Sequence, residues 1–198
     1  MSTTTEEARA IGFGPRFVTP VLMGPLLNPI NTTMISVGLV PIATSLHVAS
    51  STVIWLVAAL YLASAIAQPT MGTLADAFGP RRVYLVGLVL VVIAGAIPLL
   101  WHTFLGVLAS RVLLGIGTSA AYPSAMTLIR EQSARLKRVT PAGVLSGLSI
   151  SSLTSAAIGP PLGGLLISAF GWESIFAVNI PLAGAALVMA WLLSLIHI

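Results

Sequence analysis

The 198-residue sequence predicts an all-α integral membrane protein of six transmembrane helices, arranged as two inverted three-helix repeats. Three observations carry this. The chain is 57% hydrophobic and 7% charged, with mean hydropathy +1.02, whereas a soluble domain has about 25% charged residues. No Asp, Glu, Lys or Arg occurs between Arg16 and Asp76, which is room for two spans of about 20 residues. The basic residues, finally, fall on one side of the resulting topology.

Residues 1–16 form a short polar tail. The apolar stretch after it is too long for a cleavable signal, and no small-x-small site bounds it, so the first helix reads as an uncleaved anchor. Helix one is expected over roughly Phe17–Ser45 and helix two over Ser51–Phe78. Helix three covers Val83–Trp101 and helix four Thr103–Arg130. Helix five starts at Thr140-Pro141, an N-cap followed by proline at the first helical position, and ends near Phe170-Gly171. Helix six runs from Ser174, so the bundle occupies 17–192.

Arg9 and Arg16 precede helix one, Arg81 and Arg82 separate helices two and three, and Arg130, Arg135, Lys137 and Arg138 separate four and five. The connections at His47, His102 and Trp172-Glu173 carry no Lys or Arg. The positive-inside rule therefore puts the N-terminus in the cytoplasm, and the cell (inner) membrane is the expected location. The net charge of +4 is topological, and a nucleic acid partner is not expected.

Arg111, eight residues into helix four, is the remaining basic residue. A guanidinium at membrane depth costs about 2.5 to 3.5 kcal/mol on insertion scales unless it finds a polar cavity or a partner. Two readings stand: it snorkels to the outer surface, or it faces a cavity and binds an anionic group or responds to protonation.

Helix one carries Asn28-Pro29-Ile30-Asn31-Thr32-Thr33, and helix four carries Tyr122-Pro123-Ser124. Proline-interrupted polar segments at corresponding positions of two inverted triplets point to a transporter's binding site. Asn28, Asn31, Thr32, Arg111 and Tyr122 are thus the candidate lining of a substrate cavity, although polar residues bridging helices would look the same. Gln68 and Tyr61 of helix two are read as packing.

Every fourth residue of helix five is small: Gly143, Gly147, Ser151, Ser155, Gly159 and Gly163. Such a ladder lets another helix approach closely in a bilayer. Four residues overshoot a turn by about 40°, so the ladder winds, and contact with at least two neighbours is expected. Pro160-Pro161 remove the donors that the carbonyls of Ala156 and Ala157 would receive, which bends the helix. The bend is either a structural kink or a hinge between moving halves.

Together these features resemble the N-terminal half of a major facilitator superfamily transporter. The closest match is Gly72-Thr73-Leu74-Ala75-Asp76-Ala77-Phe78-Gly79-Pro80-Arg81-Arg82, with the family's Gly, Asp and Gly anchors and basic residues, though Ala77 stands where a basic residue is usual. The resemblance implies a cytoplasmic gating motif made by Gly72, Asp76, Gly79, Arg81 and Arg82, with Gly79 permitting the reversal and Arg130 a candidate partner for Asp76. Arg111-Val112-Leu113-Leu114-Gly115-Ile116-Gly117 resembles the helix-four motif whose arginine is implicated in proton coupling. Gly159-Pro160-Pro161-Leu162-Gly163-Gly164 resembles the helix-five antiporter signature. Gly171-Trp172 with Phe176, Asn179, Pro181 and Gly184 resembles helix six of the fourteen-span drug–proton antiporter branch.

That branch usually has a membrane-embedded aspartate in helix one; Asn28 to Pro41 contains none. The five carboxylates, Glu6, Glu7, Asp76, Glu131 and Glu173, lie at or outside the span ends, and a guanidinium stays protonated at physiological pH. The resemblance implies proton-coupled efflux of a drug or metabolite across the bilayer, with the titrating group unnamed in this half.

Such transporters rock two six-helix bundles about a central site, so a C-terminal half or a second copy is the expected partner. Residues 193–198, Leu-Ser-Leu-Ile-His-Ile, match codon for codon CTG TCT CTT ATA CAC ATC, which resembles a transposon-derived sequencing adapter, and are expected to be a non-native tail. The alternative is a six-span scaffold that associates through the helix-five ladder without transporting. An enzyme is not expected: the chain has no HExxH pair, no Gly-x-Ser-Gly nucleophile and no cysteine. No cofactor or metal is expected either.

Overall fold

The computed structural model describes residues 15–137 and 142–196, with no strand among them. Nine helices make up the described chain: α1 Pro15–Ser45, α2 Ser50–Val53, α3 Trp55–Phe78, α4 Pro80–Leu100, α5 Phe104–Ser119, α6 Ala121–Leu136, α7 Ala142–Phe170, α8 Ser174–Ala177 and α9 Asn179–Ile196. They form six rods long and apolar enough to cross a membrane: α1, α2 with α3, α4, α5 with α6, α7, and α8 with α9.

The breaks inside rods four and six each fall just before a proline. Pro123 has no N–H for the Ser119 carbonyl, and the helix is interrupted at Ala120; Pro181 has none for Ala177, and the interruption falls at Val178. Backbone dihedrals at Ala120 and Val178 stay helical, so each rod continues past its break. By contrast α1 runs unbroken through Pro29, and α7 through Pro160 and Pro161. Only one of the two proline clusters expected to interrupt their spans, that of span four, does so.

Two span boundaries differ from expectation. The fourth rod runs on to Leu136, so Arg130 and Arg135 lie on a helix rather than in a connection. The third begins at Pro80, so Arg81 and Arg82 occupy its first turn. Gly79 alone links α3 to α4 at φ 89°, a conformation that favours glycine and supplies the expected reversal. At the other face, Thr103 caps α5 by accepting from the Gly106 amide at 3.2 Å, and His102 comes within 3.9 Å of Glu173 across two connections. The expected cap at Thr140-Pro141, most of the polar tail, Arg138 and His197 lie outside the described residues.

Spans one, two, three, four and six enclose the main apolar core, with Ile42, Leu56, Leu88, Val91, Leu114 and Phe176 fully covered. Backbones touch where side chains vanish. A Cβ on Gly87 would sit 2.7 Å from the Gly117 carbonyl, and one on Gly117 2.8 Å from that of Gly87. The outer surface is the inverse of a soluble protein's: Val40, Ile66, Leu100, Leu153, Leu165 and Phe170 are all exposed, a surface suited to lipid.

The small-residue ladder of α7 packs against one neighbour rather than two. A Cβ at Gly147 would meet Leu22, Ser155 Oγ donates to the Leu26 carbonyl at 2.9 Å, Gly159 abuts Thr33 and Ile30, and Gly163 abuts Met34. Both sets of numbers rise together, so α1 and α7 run parallel. Leu22, Leu26, Ile30 and Met34 are themselves spaced by four, and two rows of one pitch wind around each other.

Candidate functional site

A cleft of about 140 Å³ opens between spans one, two, four and five. Pro25, Asn28 and Pro29 of α1 form one wall, and Gln68 of α3, Thr118 of α5, Tyr122 of α6 and Ser152 of α7 form the rest. The two proline-flanked segments singled out in the sequence therefore meet here. Asn28 Nδ2 donates to Thr118 Oγ1 at 2.9 Å, joining span one to span four. Thr118 Oγ1 passes its own proton to the Leu114 carbonyl at 2.7 Å. Tyr122 is 52% exposed at the rim.

Of the five residues proposed to line the cavity, Asn28 and Tyr122 do so. Thr32 turns back to donate to the Asn28 carbonyl of its own helix. Asn31 is 2% exposed and belongs to a network behind the wall. Its Nδ2 donates to Asn179 Oδ1 at 2.6 Å, and Asn179 Nδ2 returns a bond to Asn31 Oδ1 at 2.8 Å.

Arg111 neither snorkels nor lines the cleft. It is 1% exposed. Nε donates to the Leu56 carbonyl at 3.1 Å and Nη1 to the Asn31 carbonyl at 3.3 Å, while Nη2 has no partner among the described residues. Carbonyl dipoles of spans one and two thus solvate a cation carried by span four, which offsets part of its burial cost. Together Arg111, Asn31 and Asn179 tie four spans at one depth.

Three lining residues were not singled out, or were misread. Gln68, read as packing, is exposed and faces the cleft, and Tyr61 is exposed on the same span. Thr118 stands four residues before Tyr122, one turn away on the same face, a spacing that could have found it. Ser152 sits beside the ladder with no local signal of its own.

At the opposite motif, Gly72 and Gly79 have open space where a Cβ would point. Asp76, Arg81, Arg82 and Arg130 are all exposed. Among the described residues no ion pair joins Asp76 to any of these arginines. In the helix-five signature, Gly159 and Gly163 are buried against α1, a Cβ at Gly164 would lie 3.9 Å from Val37, Pro160 is half-buried and Pro161 exposed. A second, apolar groove of about 360 Å³ lies between spans one, five and six, along Leu27, Ile30, Thr154 and Ile158. No cluster of His, Cys, Asp or Glu that could hold a metal occurs among the described residues.

Comparison with known proteins bears on this arrangement. The family model described as Major Facilitator Superfamily matches residues 21–197. An uncharacterized MFS-type transporter of Bacillus subtilis, YwoD, is 40% identical over 96% of this chain and 39% of its own length. A second from that organism, YvkA, is 34% identical over 87% of the chain and 38% of its own length. The tetracenomycin C resistance and export protein of Streptomyces glaucescens is 32% identical over 85% of the chain and 31% of its own length. The chain thus spans about two-fifths or less of the relatives it matches.

Proposed function

The chain belongs to the major facilitator superfamily, a family of multi-pass membrane transporters rather than enzymes, and on that premise we propose that it is one moving half of a small-molecule exporter. The observation that carries the reading is the cleft. Asn28, Gln68, Thr118, Tyr122 and Ser152 put five hydrogen-bonding side chains into one recess of an otherwise apolar bundle. Polar groups at membrane depth line a solute path or a water-filled cavity.

In this reading the cleft faces a second bundle, contributed by further chain or by a second copy, and rocking of the two exposes it to each side in turn. Gly72, Asp76, Gly79, Arg81 and Arg82 act at the cytoplasmic side, where they close the path when the cleft opens outward. The N-terminus lies in the cytoplasm, supported by the basic residues at one face. Gly159, Pro160, Pro161, Gly163 and Gly164 form the surface on which α7 moves against α1. Efflux is favoured by the relative named for resistance and export.

Proton coupling is the source of energy in this reading. Arg111 contributes by holding the carbonyls of Asn31 and Leu56, so that spans one, two and four move as a unit. The scaffold alternative has less support, because the ladder it needs is already occupied by α1. The test is solute movement in everted vesicles carrying the full-length gene product. Gradient-driven efflux that falls at least tenfold with Tyr122→Ala supports the reading. No gradient-driven movement of any of a panel of drugs would overturn it.

A further inference from the structure

The hydrogen bonds around Asn28 have a direction, and it determines what the cleft offers a solute. Thr118 Oγ1 is buried and lies 2.7 Å from the Leu114 carbonyl, where its single proton is held. It can therefore only accept from Asn28, which fixes the amide with Nδ2 toward Thr118 at 2.9 Å. The carbonyl oxygen of Asn28 is left on the other side. Thr32 Oγ1 lies 3.5 Å from it, and that hydroxyl's proton is held at shorter range by the Asn28 main-chain carbonyl. An oriented, open acceptor thus stands in the cleft wall.

The other walls add no charge. Gln68 and Ser152 are neutral, Tyr122 offers a ring face and a hydroxyl, and no carboxylate, lysine or arginine lines the space. A cation entering a low-dielectric recess needs a counter-charge, and no carboxylate among the described residues lines this one. A volume of about 140 Å³ is close to that of the engineered cavity of about 150 Å³ that admits benzene. The recess takes one ring of a solute, and a ring fused to it extends into the open side of the cleft.

Resting on the reading of the chain as half of an exporter, the geometry points to Asn28 as a specificity-determining residue that binds an N–H or O–H donor on a ring of an uncharged solute. Thr118 is a positioning residue that holds the amide the right way round. A site whose acceptor is desolvated discriminates against an analogue that leaves it unpaired.

The test uses two neutral fluorescent probes of one ring system, 7-amino-4-methylcoumarin and 7-dimethylamino-4-methylcoumarin, of which only the first donates. Binding to the purified full-length gene product is followed by fluorescence polarisation. The expected result is a preference of about tenfold for the amino compound. Asn28→Leu abolishes that preference without weakening the dimethylamino compound, which also shows that the variant is folded. Thr118→Val reduces the preference several-fold by freeing the amide. Equal affinities in the wild type, no measurable binding of either coumarin, or a preference untouched by both variants would overturn the assignment. Gradient-driven efflux of the panel of drugs is measured in parallel. Transport of a panel member alongside equal coumarin affinities would defeat this inference and leave the exporter reading standing, whereas coumarin discrimination without transport of any member would do the reverse.

Discussion

Asn31 and Asn179 exchange two amide hydrogen bonds, of 2.6 and 2.8 Å, between the first and sixth spans, at positions 2% and 0% exposed. Each amide also reaches back to its own helix, Asn31 to the Leu27 carbonyl at 2.8 Å and Asn179 to that of Phe176 at 3.1 Å. Removing one member leaves the other buried and partly unpaired, at about 1–3 kcal/mol. Asn31→Leu and Asn179→Leu are each expected to lower stability by that amount in detergent, while the double substitution recovers at least half of the summed loss. Strict additivity in thermal unfolding would contradict the pairing.

Arg111 separates stability from function. It is a buried cation with no carboxylate bonded to it among the described residues, held by two carbonyls. An apolar side chain of similar length removes the desolvation cost together with the bonds, and such exchanges are often neutral in stability. Arg111→Met is expected to keep the unfolding temperature within a few degrees of wild type while gradient-driven transport falls at least tenfold. A variant that unfolds readily yet transports normally would show that the residue is only structural.

The α1–α7 contact makes a graded prediction. A Cβ at Gly159 would overlap Thr33, whereas one at Gly147 comes no closer than 3.8 Å to Leu22. Gly159→Ala should therefore destabilise by about 1–3 kcal/mol through overpacking, and Gly147→Ala by less than about 0.5 kcal/mol. Denaturation of the two variants in one detergent measures the difference. Equal effects would mean that the ladder is not seated on α1.

The orientation is open to thiol labelling, because the sequence contains no cysteine. Arg82 lies in the first turn of α4 and His102 precedes α5 at the other end of the same rod, and both are exposed. In intact cells a membrane-impermeant maleimide is expected to modify His102→Cys and spare Arg82→Cys. The opposite pattern would reverse the topology and remove the cytoplasmic role assigned to Asp76, Arg81 and Arg82.

Much of the fold was legible because lipid leaves a coarse signal. Apolar runs marked the six spans, and Gly79 marked a turn that the structure contains. The breaks at Ala120 and Val178 were less legible: Pro123 and Pro181 interrupt their rods while Pro29 and the Pro160-Pro161 pair do not, so a proline alone does not give the outcome. Thr33 Oγ1 donates to the Pro29 carbonyl at 2.9 Å, the kind of local bond that supports a helix through such a residue.

The site was half legible. Asn28 and Tyr122 stand in polar, proline-flanked clusters, which a sequence displays. Whether Arg111 faces a cavity or two helical carbonyls depends on how spans one and two cross span four, and no local pattern encodes that. The ladder's partner was missed for a related reason: a winding row was taken to need two neighbours, when the row from Leu22 to Met34 winds with it.

The central claim is that the cleft of Asn28 and Ser152 is reached from each side of the membrane in turn. Ser152→Cys in the full-length gene product, treated with an impermeant maleimide in right-side-out and in everted vesicles, tests it most directly. The account predicts modification in both preparations, slowed in both by a transported solute. Modification from one side alone, or from neither, would contradict it.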